Sequence, residues 1–349
     1  MSGIKDVAKK AGVSISTVSN VLNKSKYVSP DLVMRVEKAV EELSYEANPI
    51  ARSMKNNKTG TIGVITEDMC GVFYPYVVKG INSVAVEKGY QIIICDTQAT
   101  YGDKDAIKRE KELFRRLIAN RVDGIIFVSS ISNESANKYK KIPLVSMERD
   151  MTDVGIDSVY FDGYANAQKA VQHLIDCGCK KICHITGATE LQIALERIRG
   201  YEDCLKKNDM YYDREKMMTY GDYSHQSGYT CMKQLLEQVP DLDGVFCGND
   251  QMAIGALKVL KEYGKRIPEE IKLMGYDDVF LSSVIEPSLS TIHIRKRHAG
   301  IEAAKILFQR IEEQDEKYYD AIGIKMNARL VVRKSTVEDA PEDWNLVDW

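Results

Sequence analysis

A short segment near the N-terminus of this 349-residue chain carries side chains that are suited to reading DNA. Hydroxyl and amide groups recur on one side of a predicted helix, where they are short enough to reach base edges and phosphates in a groove. The side chains on that outer side are Ile15, Ser16, Thr17, Ser19, Asn20 and Asn23. Their chemistry favours contact with double-stranded DNA.

Three short helices are predicted to position these side chains. The first spans residues 4–11 and ends in a turn at Gly12, and Ser14 is placed to cap the second helix. A third helix begins at Ser29-Pro30-Asp31, with proline in its first turn and an acid near its positive end. Apolar residues at helical spacing would form one core: Ile4, Val7, Ala8, Ala11, Val18, Val21, Leu22, Leu32, Val36, Ala39, Val40 and Leu43. The arrangement predicts a helix-turn-helix domain, and a helical bundle without a DNA role is the alternative.

Two runs of sequence carry a more specific signal than this pattern. The first comprises Ile4-Lys5-Asp6-Val7-Ala8, Ala11-Gly12-Val13-Ser14, Thr17-Val18-Ser19 and Val21-Leu22-Asn23. The second is Asn48-Pro49-Ile50-Ala51-Arg52-Ser53-Met54. In this order, the runs resemble the lactose-repressor/galactose-repressor (LacI/GalR) family of bacterial regulators, in which the second run is a hinge helix. The resemblance extends to residues 329–336 and covers about 335 residues.

The resemblance implies a set of DNA-contacting residues. Ile15, Ser16 and Asn20 occupy the positions by which family members distinguish operators. The hinge segment is too short to be a stable helix alone, and in the family it folds when two copies pair in the minor groove. Met54 stands where a leucine usually wedges a base step open, and Arg52 would contact phosphate. The full set is Ser14, Ile15, Ser16, Thr17, Ser19, Asn20, Asn23, Asn48, Ala51, Arg52, Met54 and Lys55.

The charge distribution agrees with a DNA-binding head. Residues 1–60 contain ten Lys and Arg against six Asp and Glu, a net charge of +4. The remaining residues contain 38 against 45, a net charge of −7. A basic head on an acidic body directs one end of the protein to phosphate.

Several protein classes are disfavoured by the same sequence. No apolar run approaches the roughly 20 residues that cross a bilayer, and the N-terminus lacks a signal-peptide pattern, so we expect a cytoplasmic protein without membrane contact. Eight cysteines are expected to be reduced thiols in the core. The spacing in Cys177-Gly178-Cys179 is too tight for structural zinc, so no metal is expected. Since nucleotide-binding and nucleophile motifs are missing, we expect neither an enzyme nor a cofactor.

The body alternates apolar strands with helices, first over residues 61–128 and again after Tyr164. Such alternation predicts an α/β fold with parallel sheets. Two such units resemble the two-lobed periplasmic-binding-protein fold of the family's sensor. The expected domains are a helix-turn-helix domain at 1–47, a hinge and linker at 48–60, a sensor at 61–337 and an acidic tail at 338–349. The N-lobe would comprise about 61–161 and 293–321, and the C-lobe about 162–291 and 322–337, with crossings near Phe161-Asp162, Thr291-Ile292 and Ala321-Ile322.

Ligands of this fold lie between the lobes at the carboxyl ends of the strands. Residues that match the family's effector-binding positions are Phe73, Tyr74, Glu148, Arg149, Arg197, Tyr223, Asn249, Asp250 and Asp277. Asn249 or Asp250 is alternatively a helix cap, and Tyr74 and Tyr223 are alternatively core aromatics. Glu148 stands where the family often has aspartate. A sugar or sugar derivative is the expected effector, with a purine or nucleoside less favoured.

The expected mechanism is a ligand-controlled switch in a homodimer. Closure of the lobes would move the paired hinge helices and change their fit to the operator, with a coupling of roughly 1–3 kcal/mol. A solute-binding protein with the same sensor fold is the alternative from another class, although residues 1–60 argue against it.

Exchange of Asn20 for arginine provides a test of the DNA-reading surface. An amide pairs with adenine and arginine pairs with guanine, so Asn20→Arg should move the preferred half-site from adenine towards guanine at one position. Selection from random duplex DNA, run in parallel with the wild-type protein, measures this change. An unchanged half-site would contradict the assignment of Asn20.

Overall fold

The computed structural model describes residues 3–23, 26–45, 58–67, 69, 71–97, 105–128, 137–313 and 320–341. The chain separates into two compact units, a head that ends at Gly60 and a body that begins at Thr61. This division falls where the sequence predicts the linker to end.

The head contains the three predicted helices, α1 (Ile4–Ala11), α2 (Ile15–Asn23) and α3 (Pro30–Glu42). Their shared core consists of Val7, Ala8, Ala11, Val18, Val36 and Ala39. Leu32 was predicted in this core but is only half-buried and lies outside the cluster. The α2 face that carries Ile15 and Ser16 is exposed.

Arg35 closes the turn between α1 and α2. Gly12 ends α1 with a φ of 64°, a conformation that glycine adopts without steric cost. From α3, the guanidinium of Arg35 donates hydrogen bonds to the carbonyl oxygens of Ala11 at 2.6 Å and Gly12 at 3.3 Å. The Ser14 hydroxyl accepts a hydrogen bond from the Thr17 backbone N–H at 3.1 Å, so it caps α2 as predicted. These contacts fix the direction in which α2 leaves the turn.

The body has the predicted alternation of strands and helices. Its first part comprises β1 (Thr61–Thr66), α4 (Tyr74–Glu87), β2 (Gln91–Asp96), α5 (Ala106–Ala119), β3 (Ile125–Val128), β4 (Leu144–Met147) and β5 (Asp157–Phe161). Its second part comprises α6 (Gly163–Asp176), β6 (Ile182–Thr186), α7 (Gln192–Lys207), α8 (Arg214–Met217), β7 (Met218–Tyr220), α9 (His225–Gln238), β8 (Gly244–Cys247), α10 (Asp250–Glu262), β9 (Lys272–Met274) and α11 (Phe280–Val284). The chain then forms β10 (Thr291–Ile294), α12 (Lys296–Glu312), β11 (Gly323–Met326) and β12 (Ala328–Val331).

Two parallel sheets define the two lobes. The first lobe has six strands in the order β11-β5-β4-β3-β1-β2, and the second has four in the order β7-β6-β8-β9. All the pairings within these sheets are parallel. The third sheet has two strands, β10 and β12, which pair antiparallel. The predicted α/β class with parallel sheets is therefore confirmed.

The third chain crossing lies later than the sequence predicted. The sequence placed residues 322–337 in the C-lobe, with the crossing near Ala321-Ile322. Instead, Gly323–Met326 forms β11 and pairs with β5 in the sheet of the first lobe. The chain crosses only between Met326 and Ala328, where β12 begins. The strand was missed because its four residues alternate between exposed and half-buried positions and do not form an apolar run.

Helices α4 and α12 pack against each other through two glycines. A Cβ on Gly80 would lie 2.1 Å from the carbonyl oxygen of Arg297, and one on Gly300 would lie 2.1 Å from that of Val77. Such backbone-to-backbone approach is open only to residues without a side chain. The two helices therefore form one rigid layer of the first lobe.

Within the described residues, the cysteines are free thiols, and neither a metal-binding cluster nor a membrane-spanning helix is found. Seven cysteines carry free thiols, and five of them are buried: Cys179, Cys183, Cys204, Cys231 and Cys247. No described cluster of His, Cys, Asp and Glu side chains is placed to hold a metal ion. Across the helices that the structure describes, none is long and apolar enough to span a membrane.

Replacement of Gly80 by alanine tests the packing of α4 on α12. The added methyl group would overlap the Arg297 carbonyl, so Gly80→Ala should lower the free energy of unfolding by about 1–3 kcal/mol. Urea denaturation measures the loss. Lys79→Ala, at the neighbouring exposed position, is the control and should stay within about 0.5 kcal/mol of wild type. Equal stability of the two variants would contradict the close packing.

Candidate functional site

The predicted DNA-reading residues that the structure describes lie on or beside α2. Ile15 has 44% of its surface exposed, and Ser16 and Asn23 are also exposed. The Ser14 hydroxyl lies 2.6 Å from that of Ser16 and 2.9 Å from that of Thr17, so these hydroxyls form one polar cluster. The predicted hinge residues Asn48, Ala51, Arg52, Met54 and Lys55 lie outside the described residues.

A cleft lies between the lobes at the carboxyl ends of their strands. One part of it is lined by Glu67, Val128, Met147, Glu148 and Arg149 from the first lobe and by Leu191, Gln192 and Ile193 from the second. Glu67 directly follows β1, Glu148 directly follows β4, and Asp277 comes soon after β9. We refer to these three carboxylates as the acidic triad. Parallel strands bring them together because their carboxyl ends meet at the same edge.

Arg197 supplies a positive charge that faces the acidic triad. Its guanidinium carbon lies 3.8 Å from the ring centre of Tyr276 and 5.8 Å from that of Tyr223. Nη1 donates a hydrogen bond of 2.5 Å to the carbonyl oxygen of Gly248, which follows β8. The side chain is only 7% exposed, and Nε has no hydrogen-bond partner among the described residues. One donor of this cation therefore stays available to a ligand.

Burial changes the ionisation of two triad members. It raises the pKa of Glu148 to about 8, with the Glu67 carboxylate adding to the rise and Arg197 opposing it. Burial also raises the pKa of Asp277 to about 6, against the opposing charges of Arg197 and Lys296. At neutral pH Glu148 is largely protonated, so it is able to donate one hydrogen bond as well as accept others.

Glu67 is a cleft residue that sequence reasoning missed. Its Oε2 accepts a hydrogen bond of 3.4 Å from the hydroxyl of Tyr74, the first residue of α4. The predicted residue Phe73 contacts Tyr74 edge-on, with ring centres 5.1 Å apart. The position of Glu67 immediately after the apolar run of β1 was the available signal, because strand ends of that sheet line the cleft.

Tyr223 and Asn249 are brought together on the second lobe. A Cβ on Gly187 would lie 2.0 Å from the Tyr223 ring, so the ring rests directly on the glycine backbone. Nδ2 of Asn249 donates to the Tyr223 carbonyl oxygen at 3.0 Å, and Oδ1 of Asn249 accepts from the Met252 N–H at 2.9 Å. Asn249 thus caps α10, the alternative that the sequence left open.

Two other predicted site residues, Asp250 and Arg149, have partners outside the acidic triad. Asp250 is fully buried, and its oxygens accept hydrogen bonds from the Val279 N–H at 2.8 Å and the hydroxyls of Ser282 at 2.7 Å and Thr291 at 2.6 Å. Its carboxylate therefore holds the second lobe together. The guanidinium of Arg149 interacts with Glu110 and Asp153 of the first lobe.

Several buried polar atoms near the ends of strands in both lobes have no hydrogen-bond partner among the described residues. Among the described residues, Oγ1 of Thr66 at the end of β1 and Oγ1 of Thr186 at the end of β6 have no hydrogen-bond partner. The same holds for the hydroxyl of Tyr223. A buried polar group without a partner costs about 1–3 kcal/mol, so a polar ligand that reached one of these atoms would recover that free energy. The geometry is that of a binding site for a small polar molecule.

Comparison with known proteins gives one family match in the head and another in the body. Residues 3–48 match the family described as bacterial regulatory proteins, lacI family, and residues 171–336 match the periplasmic binding protein-like domain. The HTH-type transcriptional repressor PurR of Haemophilus influenzae is 35% identical over 96% of this chain and 98% of its own length. The ribose operon repressor of Escherichia coli is 35% identical over 90% and 94%. The chain belongs to the lacI family of bacterial regulatory proteins.

Solved structures of similar regulators support this family assignment. The lac repressor dimer bound to operator and the anti-inducer ONPF is similar over 96% of this chain and 99% of its own, with 27% identity and a TM-score of 0.85. The complex of the transcriptional regulator CelR with cellobiose covers 96% and 100%, with 28% identity and a TM-score of 0.70. The predicted resemblance is confirmed, and the protein is a DNA-binding transcriptional regulator and not an enzyme. The individual site residues stay predictions.

Removal of the Asp250 carboxylate separates its structural role from a ligand-binding role. Asp250→Ala leaves three buried donors without an acceptor, so the free energy of unfolding should fall by on the order of 3 kcal/mol even without ligand. Urea denaturation of the ligand-free protein measures this. Asp241→Ala removes an exposed carboxylate and is the control. A loss no larger than that of the control would return Asp250 to the candidate ligand contacts.

Proposed function

We propose that the protein represses transcription as a homodimer on a palindromic operator, under the control of an uncharged, polyhydroxylated effector such as a sugar. The names of the relatives support repression, since both the Haemophilus and the Escherichia coli proteins are repressors. The solved lac repressor is a dimer on its operator. In this proposal, α2 reads each half-site through Ile15, Ser16 and Asn20.

The acidic triad is the observation that carries the choice of effector. Carboxyl oxygens accept hydrogen bonds from hydroxyl groups, and Glu67, Glu148 and Asp277 offer several such acceptors close to the Arg197 cation. A sugar presents many hydroxyl donors on a compact frame and matches this set. The negative charge of the triad repels a phosphate, so we disfavour phosphorylated effectors.

A purine is the second candidate, because the Haemophilus relative is named PurR. The rings of Tyr74 and Tyr223 provide aromatic surface for a flat base. The triad favours the sugar, since a purine base has fewer hydrogen-bond donors than a polyol has hydroxyls.

Operator selection with a panel of small molecules tests the proposal. The purified full-length protein is first used to select random duplex DNA at moderate salt, and we expect a pseudo-palindromic site. The affinity for that site is then measured with D-ribose, cellobiose, hypoxanthine and ribose 5-phosphate. At least one neutral sugar should change it by about 5- to 150-fold, which is the usual range of allosteric coupling, and ribose 5-phosphate should not.

The outcomes separate the parts of the proposal. Sequence-blind binding under every condition would contradict the regulator, and a response to hypoxanthine alone would replace the sugar by a purine. Glu67→Gln removes one negative charge at nearly constant shape, so it should weaken the sugar response and reduce the exclusion of ribose 5-phosphate. Asp241→Asn, which removes an exposed negative charge, is the matched control and should change neither.

A further inference from the structure

Lys296 is a buried cation that the proposed function does not use. It is the first residue of α12 and is only 3% exposed. Its Nζ donates hydrogen bonds to the carbonyl oxygens of Asp277 at 2.5 Å and Asp278 at 3.0 Å. A buried ammonium group is unfavourable unless it is bonded or paired, and here it is bonded to the backbone of a cleft residue.

The turn that Lys296 contacts is conformationally strained. Asp277 has a φ of 109° and Asp278 a φ of 54°, both in the region that residues with a side chain rarely adopt. Such conformations cost about 1–3 kcal/mol each and persist only where the surroundings hold them. The Lys296 ammonium binds the two carbonyl groups of this turn and is one of those restraints.

The two adjacent carboxylates of the turn have separate surroundings. The Asp278 carboxylate lies 2.7 Å from Nδ1 of His293 and 2.8 Å from Nη1 of Arg333. The Asp277 carboxylate instead interacts with Arg197 and with the triad member Glu148. With Asp278 bound inside the lobe, the backbone that Lys296 holds directs Asp277 towards the cleft.

Lys296 also joins the two lobes. Its helix, α12, packs against α4 through Gly80 and Gly300 and so belongs to the rigid layer of the first lobe. Asp277 follows β9 of the second lobe. The hydrogen bonds of Lys296 therefore run from one lobe to the ligand-facing turn of the other.

We propose that Lys296 is a positioning residue that, from the first lobe, holds the Asp277 carboxylate of the second lobe in its ligand-facing, ionised form. The meaning of this role for the effector rests on the proposed function, but the role itself is a property of the ligand-free protein. Rotation of the lobes would move Lys296 relative to Asp277 and so change the acceptor that the ligand meets.

Several charged and titratable groups set the ionisation of Asp277. They come from each neighbouring element: Arg197 of α7, Lys296 of α12, Asp278 of the same turn, Asp250 of α10, Glu148 after β4, Tyr74 of α4 and Tyr223 before α9. Burial raises the pKa of Asp277 to about 6, and Lys296 and Arg197 limit the rise. Loss of the Lys296 charge should raise it further.

The rise in the pKa of Asp277 should make the effect of losing Lys296 on stability depend on pH. A carboxyl group whose pKa is higher in the folded than in the unfolded protein destabilises the fold as pH rises. A further rise of about one pKa unit in Asp277 would make the folding equilibrium about tenfold less favourable at pH 8 and leave it nearly unchanged at pH 5. A purely structural loss of two hydrogen bonds would be the same at both pH values.

The test compares urea denaturation of the full-length, ligand-free protein at pH 5 and pH 8. Relative to wild type, Lys296→Met should lower the folding equilibrium constant by about tenfold more at pH 8 than at pH 5. Lys296→Arg retains the charge and should restore the wild-type pH dependence. Lys305→Met removes an exposed lysine of the same helix that pairs with Glu302, and its effect should not depend on pH. A Lys296→Met effect that is equal at both pH values would overturn the proposal.

A double-mutant cycle isolates Asp277 from the other groups that titrate in this range. In an Asp277→Asn background there is no carboxyl group to ionise, so the effect of Lys296→Met should become independent of pH. The background also keeps the test valid if Lys296→Met alone does not fold at pH 8, because the neutral amide removes the unpaired charge. Persistence of the pH dependence in this background would contradict the proposal. Since no effector enters the experiment, its result is independent of the proposed effector class.

Discussion

The interaction of Arg197 with the acidic triad is the contact on which the cleft depends. Negative charges that lie close together in a largely buried space repel one another, and burial makes each charge more costly, so the pKa of Glu148 rises to about 8. The guanidinium offsets part of that cost while its plane stacks on Tyr276 and one nitrogen bonds the backbone after β8. Because stacking and bonding hold it in place, Arg197 acts as a fixed charge around which the acids are arranged.

The fold provides the frame for this charge arrangement. Parallel strands of two sheets end at the same cleft, so acids from β1 and β4 face the arginine of α7 and the turn after β9. The antiparallel pair of β10 and β12 connects the lobes beside that turn. Helices α4 and α12 start at Tyr74 and Lys296, so one rigid layer carries side chains that contact two members of the triad.

Much of this organisation was readable from the sequence, and the misses have physical causes. Helical spacing and cap residues predicted α1, α2 and α3, and apolar runs predicted most strands, because those signals are local. Glu67 has no motif, since its role depends only on which strands lie next to β1. The hydrogen-bond donors of Asp250, Ser282 and Thr291, could not be foreseen because they are distant in sequence. Strand β11 was missed because its residues alternate between exposed and half-buried positions. Its partner, β5, is also far away along the chain, so no local signal indicated the pairing.

The bond from Arg35 to the turn between α1 and α2 has a consequence for how the head meets DNA. The turn is held by a residue of the third helix, so the orientation of α2 is already set in the free head. The conformational entropy of ordering this helix is lost during folding and not at each encounter with a duplex. A head organised in this way is able to sample many sites along a chromosome without rearranging α2 at each one.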